Sequence, residues 1–356
     1  MDRLGRYGAV AAKARCLWGL RLRAEDYRRM AAARTLPELA GLLRAHPRWG
    51  RALEGVDFSD IHRYALEELL RRYHLEEHLR LYPYLNRDDR RFLDAPVLET
   101  ELSQIMRYLQ LARAGRAAEY SYTPSPHLAR RSRVNYAALS EATTYDGLIG
   151  AVSETGYAAV LRRLKPRAAS GGDPGSADAG FPPFTLVEAA LFSHHFHALL
   201  SLIRARKDPV LRKWLLENVG LEADLQNLAV ILRVKRYYPG MEGQYFGYLL
   251  PVRRYLTPET LRRLCAAESA DAAAAILRET RYRPYFQDRD VQPERLMARI
   301  RYEHSLRGIR EPSPSVVTPL SLLYLTQIEL SNIVHLIECV RYDISPEEAL
   351  TYVEGI

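Results

Sequence analysis

The sequence predicts an all-α protein built from three similar helical units, and three observations predict it. Leucines and aromatics recur at three- and four-residue spacings along most of the chain, the period of an amphipathic helix. Alternating Val/Ile/Thr runs of the kind that make strands are missing. One helix-sized block occurs three times.

The bulk composition fits a folded domain of this kind. Hydrophobic residues make up 47% of the 356 residues and charged residues 26%, ordinary values for a chain that buries a large core. Cys16, Cys265 and Cys339 are far apart and form no CxxC pair, which argues against a disulfide framework or zinc ribbon and suits a reducing cytoplasm. The formal charge of +8 permits an acidic partner, a nucleic acid or an anionic lipid surface and selects none of them.

Along the chain, Lys13, Arg15, Arg21 and Arg23 interrupt any apolar core near the N-terminus, so no signal peptide is expected. Phe58 to Tyr82 reads as one amphipathic helix. Thr35-Leu-Pro-Glu38, Thr185-Leu-Val-Glu188 and Ser345-Pro-Glu-Glu348 read as helix starts, in which a hydroxyl accepts from a free backbone N–H three residues on. Residues 166–183, with Ser170-Gly-Gly-Asp-Pro-Gly-Ser-Ala-Asp-Ala-Gly180 at their centre, carry too little apolar surface to order themselves and read as a flexible loop. No stretch is expected to cross a membrane: Pro312, Pro314 and Pro319 break the longest uncharged run, and Leu191–Ile203 is short and rich in histidine.

The repeat aligns Glu101 to Ala114, Asp224 to Tyr237 and Glu329 to Tyr342 without gaps. Each copy opens on an acid and a leucine, has Gln or Asn three positions after the acid, and carries an arginine near its end: Arg113, Arg236 and Arg341. Leu102, Ile105 and Leu109 form an apolar stripe that recurs as Leu225, Leu228 and Leu232, and as Leu330, Ile333 and Ile337. A second block follows: Leu256-Thr-Pro-Glu-Thr-Leu-Arg-Arg-Leu264 matches Leu22-Arg-Ala-Glu-Asp-Tyr-Arg-Arg-Met30, with a truncated copy at Ile344-Ser-Pro-Glu-Glu-Ala-Leu350. Glu279-Thr-Arg-Tyr282 echoes Glu154-Thr-Gly-Tyr157.

The repeated charges are the candidate functional residues. Glu101, Asp224 and Glu329 are expected near helix starts, with Arg113, Arg236 and Arg341 three turns later, each charge complementing the helix dipole. Caps or ion pairs between units account for them most simply; a direct grip on a partner is the functional alternative.

Catalytic chemistry finds little support. His194-His195-Phe-His197 lacks a paired acid or cysteine at ligand spacing, and His74-Leu-Glu-Glu-His78 has two histidines on one helical face without the glutamate placement of a zinc protease. Packing or exposure is preferred to metal for the first, and a solvated helix face for the second. There is no GxxxxGK[ST], GxGxxG or GxSxG, so no catalytic residue, metal or cofactor is expected. The basic runs Arg130-Arg131-Ser-Arg133, Lys235-Arg236 and Arg253-Arg254-Tyr255 are read as solvated faces before nucleic-acid surfaces.

The repeat, together with Tyr7, Val10, Ala12-Lys13, Arg15 and Leu20 at one end and Glu329-Leu-Ser-Asn332 through Arg341-Tyr-Asp-Ile-Ser-Pro-Glu-Glu348 at the other, resembles the C-subunit family of V-type and archaeal (A-type) rotary ATPases, whose eukaryotic counterpart is the d-subunit. The resemblance implies three helical domains, here 1–110, 111–235 and 236–356, arranged as a funnel about a pseudo-threefold axis. It implies a non-catalytic coupling protein whose partners are the central-shaft subunits and the membrane proteolipid ring. Membrane contact would be indirect, through the ring, on the cytoplasmic side, and no nucleic acid is expected. A helical-repeat scaffold or nucleic-acid adaptor, and a metal enzyme using the two histidine clusters, are the competing classes.

Overall fold

The computed structural model describes residues 3–165, 181–182, 184–237, 246–250, 252–286 and 293–355. Most of the sequence-predicted loop, 166–180 and 183, therefore lies outside the described residues. Every regular element among the described residues is a helix, as the apolar periodicity predicts.

The chain opens with α1 (Arg3–Gly19), α2 (Ala24–Ala31), α3 (Leu36–Ala45), α4 (Arg63–Leu79) and α5 (Arg87–Arg90). Next come α6 (Ala95–Arg113), α7 (Pro126–Ala129), α8 (Tyr136–Glu141), α9 (Tyr145–Ala151), α10 (Tyr157–Leu164) and α11 (Phe184–Arg204). They are followed by α12 (Pro209–Tyr237), α13 (Pro258–Ala266), α14 (Ala270–Leu277), α15 (Pro293–Arg310), α16 (Val317–Arg341) and α17 (Pro346–Thr351). Two compact units form: Met1–Leu93 with Asp290–Ile356, and Asp94–Arg289.

In the first unit α16 is the central post, with α1, α2, α3, α4 and α15 packed around it. Its apolar residues run all round the helix because almost every side meets a neighbour. Leu330, Ile333, Leu336 and Ile337 interlock with Leu39, Leu43, Trp49, Leu66 and Leu70 in one buried cluster. Each such side chain contributes about 1.5–3 kcal/mol on burial. Polar pins fix α1: Arg6 and Tyr7 both donate to the buried Asp89 (2.9 and 3.1 Å), and Arg15 donates to the Ile309 carbonyl at 3.0 Å.

In the second unit α6 packs on α11, α11 on α10 and α12, and α12 on α14. Gly220 lets α12 approach the segment before α13 closely. A Cβ there would lie 3.0 Å from the Arg253 carbonyl oxygen.

Two helix starts form as the sequence predicts. Thr35 Oγ1 accepts from the Glu38 N–H and Ser345 Oγ from the Glu348 N–H, both at 3.2 Å. The Glu38 carboxylate reaches the Arg34 N–H at 2.8 Å. Thr185 instead falls inside α11, which begins at Phe184, and its side chain lies outside the described residues. The helix expected over Phe58–Tyr82 is shorter, Arg63–Leu79. Repeat helices α6 and α16 share a left-handed ending. Gly115 (φ 71°) and Asp343 (φ 52°) follow the last turn, and the next N–H returns five residues, Arg116 to Leu111 (2.8 Å) and Ile344 to Cys339 (3.0 Å).

The apolar runs are longer than the sequence reading made them. Leu186–Arg204 in α11 and Val317–Arg341 in α16 are both long and apolar enough to cross a membrane by length and hydropathy. For α16 the reason is internal, since 72% of its apolar window is buried in the unit.

Gly220→Ala should destabilise the protein by about 1–3 kcal/mol, the cost of overpacking where backbone must give way. Gly247→Ala, with nothing within 4 Å of the added methyl, should leave the urea midpoint nearly unchanged.

Candidate functional site

Glu101, Asp224 and Glu329 are buried, at 4%, 0% and 3% exposure, and they lie well inside their helices rather than at the starts. That corrects the expectation that they complement the dipole of the helix they sit on. Deep in a helix the local N–H groups are already bonded, so each carboxylate turns to the backbone of another segment.

Asp224 is the fullest case. Its Oδ1 accepts from the Arg254 N–H (3.2 Å), and its Oδ2 from the N–H groups of Tyr255 (2.7 Å) and Leu256 (3.3 Å) and from the Tyr282 hydroxyl (2.8 Å). Glu101 Oε1 accepts from Ser132 Oγ (2.7 Å) and the Arg133 N–H (3.3 Å), with Tyr157 beside it. Glu329 accepts from the Leu22 N–H, from Trp49 Nε1 (2.5 Å) and from Arg48 Nη1 (3.0 Å). Each acid thus grips the extended segment that leads into α8, α13 or α2, together with an aromatic residue further on. Two of these clamps lie in the second unit and one in the first.

The aromatic partner is positioned the same way each time. A short helix capped by Thr144, Ser269 or Thr35 ends in a turn whose side chain catches the aromatic residue's own N–H. Thr155 does this for Tyr157 (3.2 Å), Thr280 for Tyr282 (3.1 Å) and His46 for Trp49 (3.3 Å). The match of Glu154–Tyr157 to Glu279–Tyr282 foreshadows two of the three. Trp49 escapes sequence reasoning because a tryptophan and a histidine replace the tyrosine and threonine; the capped short helix ahead of it is the available signal.

The amide three positions after the acid completes the clamp. Asn227 exchanges both hydrogen bonds with the Leu250 backbone (3.0 and 2.7 Å), and Asn332 does so with Glu354 (2.9 and 3.1 Å). Gln104 accepts instead from Tyr120 at 3.2 Å. The nine stripe residues, Leu102 through Ile337, are all buried.

Only the third clamp includes an ion pair among the described residues. Arg48, 1% exposed, lies between Glu77 and Glu329. Its Nε donates to both Glu77 oxygens (3.1 and 2.8 Å) and Nη2 donates to Oε2 (2.5 Å). Burial alone would pull this guanidinium down, but Glu329 and Glu77 hold it up. Burial pushes all three clamp carboxyls above the ordinary range against the donors that favour ionisation.

Arg113 and Arg341 are not gathered with the acids. Arg113 is half-buried and donates to the Pro182 carbonyl at 3.1 Å. Arg341 is exposed and stacks over Tyr342. Arg236 is in α12, and its side chain lies outside the described residues.

The solvated face expected for His74-Leu-Glu-Glu-His78 is overturned, because α4 turns it onto α16 and both histidines are 4% exposed. His74 Nε2 meets Thr326 Oγ1 (2.8 Å) and His78 Nε2 meets the Leu93 carbonyl (2.9 Å). Burial, helped by Arg48, pulls His74 down to about 3. On α11, His197 bonds the Ser193 carbonyl (2.7 Å) and His194 packs edge-on to Tyr157. Among the described residues no group of three or more His, Cys, Asp or Glu is placed to hold a metal. The basic runs are not simply solvated either. Lys235 donates to the carbonyls of Cys265 (3.0 Å) and Ala267 at the end of α13, and Arg254 pairs with Glu217 at 3.3 Å.

A family model described as ATP synthase (C/AC39) subunit matches residues 10–352. The chain belongs to this family. It is accordingly part of a membrane-associated ATP synthase or V-type ATPase complex. No curated protein matches the chain. The family match spans all three clamps, so the repeated acids belong to the body of the protein throughout.

Asp224→Ala leaves three N–H groups and a hydroxyl without their acceptor and should cost about 3 kcal/mol or more, read as a fall in the denaturation midpoint. A second expectation concerns pH. His74 stays neutral when folded but binds a proton near its usual 6.5 when unfolded. Its contribution is therefore intact above 6.5 and is lost as pH falls from there toward about 3. By one pH unit below the unfolded value the loss should be roughly 1.4 kcal/mol, and His74→Gln should remove that part of the slope.

Proposed function

We propose that this chain is the non-catalytic central-stalk component that couples the rotor shaft of the complex to its membrane proteolipid ring. The observation that supports this reading is the recurrence of one buried clamp three times in a chain of the C/AC39 family. A coupler must transmit torque without yielding. A mid-helix carboxylate that ties each long helix to the segment entering a short helix supplies stiffness where helices alone would slide.

On this reading the three repeats correspond to three domains, 1–110, 111–235 and 236–356, set around a funnel that seats the shaft. The chain works on the cytoplasmic side and meets the membrane only through the ring. The complex moves protons or sodium ions. Glu101, Asp224 and Glu329 serve the rigidity of the body, and contact with an acidic shaft surface falls to some of Arg113, Arg236 and Arg341. The exposed guanidinium of Arg341 beside the exposed Tyr342 ring suits such a contact.

Size-exclusion chromatography of the purified protein with shaft subunits and detergent-solubilised ring should give a complex containing both. Binding to neither would overturn the coupling role. The triple variant Arg113→Glu, Arg236→Glu, Arg341→Glu should lose shaft binding at least tenfold while keeping its helical circular dichroism. Undiminished shaft binding would remove the arginines from the interface.

A further inference from the structure

The Arg48–Glu77–Glu329 cluster places two carboxylates and one guanidinium in the core, at 6%, 3% and 1% exposure for Glu77, Glu329 and Arg48. An uncompensated buried charge is costly, and a bound proton removes it. The geometry says where that proton fits. Glu329 Oε1 already accepts from both Arg48 Nη1 and Trp49 Nε1, and the Leu22 N–H is the third donor to the carboxyl, so the proton goes to the less engaged Oε2.

A small cavity beside Glu329 is lined also by Arg21, Tyr27, Tyr302, Asn332 and Glu354. It has room for about one water molecule. Tyr27 Oη accepts from Asn332 Nδ2 at 3.2 Å, so its own O–H remains to face such a water. This gives the carboxyl a route for proton exchange.

We propose that this cluster is a proton-linked latch: Glu329 carries a proton on Oε2 when the Leu22–Trp49 segment is docked on α16, and releases it when the segment lifts away. The balance is one proton per opening. In the docked state Oε1 acts as the carbonyl oxygen and holds Arg48 and Trp49. In the open state the carboxylate and guanidinium are separately hydrated and the proton goes to water. Raising pH therefore favours opening.

The charged and titratable groups facing Glu329 fit this sign. Arg48, from the turn after α3, is the cation in direct contact, and it is shared with Glu77 of α4. Arg21 before α2 is a more distant positive charge, and Tyr27 of α2 and Tyr302 of α15 remain neutral hydroxyls. Glu354 after α17 and His74 of α4 add no positive charge; burial keeps the histidine neutral. Burial also pushes the Glu329 carboxyl upward.

Hydrogen exchange of the full chain, followed by mass spectrometry and corrected for intrinsic rates, tests the latch. Opening of residues 22–49 should rise by up to tenfold per pH unit above the ordinary carboxylate range and then level off. Glu329→Gln, which keeps the carbonyl acceptor and needs no proton, should hold the segment closed with no such pH dependence. An unchanged slope in Glu329→Gln, or no slope in the wild type, would overturn the proposal. A slope lost in Glu77→Gln but kept in Glu329→Gln would overturn the assignment to Glu329. Should Glu329→Gln fail to fold, infrared difference spectra of glutamate-labelled wild type decide: a protonated-carboxyl band that vanishes as pH rises supports the latch, and its absence at every pH sinks it.

Discussion

A carboxylate buried in the middle of a helix finds the neighbouring amides already bonded within that helix. It must draw its donors from elsewhere, and whatever supplies them is held in place. Asp224 illustrates the constraint: three consecutive N–H groups, Arg254 to Leu256, converge on one side chain, and Tyr282 closes the set. The segment so gripped enters α13 in a fixed direction. Gly220 permits this close approach, since a Cβ there would lie 3.0 Å from the Arg253 carbonyl oxygen and the segment would have to give by a few tenths of an ångström. The asparagine three residues on fixes the preceding backbone at Leu250, so one face of α12 sets the path of the following chain at two points.

The same logic accounts for the differences among the clamps. Glu101 has a longer arm than Asp224 and reaches a serine hydroxyl as well as a backbone N–H. Glu329 grips the amide of Leu22 and takes up Trp49 and Arg48 as well. In that clamp the two sides come from parts of the sequence far from one another, whereas in the others the gripped segment follows its helix within a few dozen residues. A contact between distant segments has more chain entropy to overcome. The third clamp is also the one reinforced by the buried Arg48–Glu77 ion pair, by the Trp49–Tyr73 ring contact and by His74 against Thr326.

For a member of the C/AC39 family this is a body made stiff by repetition of one polar device inside otherwise apolar helices. Leucine stripes supply most of the burial, but they do not fix the rotation or sliding of one helix on another. Directional hydrogen bonds into a buried acid do. Arg341 lies outside that device. Changes to the acids are therefore expected to act on the fold, and changes to Arg341 on what the fold meets.

The helical class was legible in the sequence because apolar spacing is a local property, and the repeat was legible because three copies of one pattern align. Positions such as Ile105, Leu228 and Ile333 could be assigned to the core from periodicity alone. What periodicity could not supply was the partner of each acid. Charge near an aligned block's beginning suggested a helix start, yet α12 begins fifteen residues before Asp224 and α16 twelve before Glu329, so the carboxylates lie deep inside. The burial of His74 and His78, and the role of Arg48, likewise depended on which face of α4 meets α16. Sequence by itself determined the helices, their apolar faces and the threefold recurrence of an acid, because these follow from residues within a few turns. Tertiary structure decided what each acid holds, because hydrogen-bond partners far apart along the chain are selected only when packing brings them within about 3 Å.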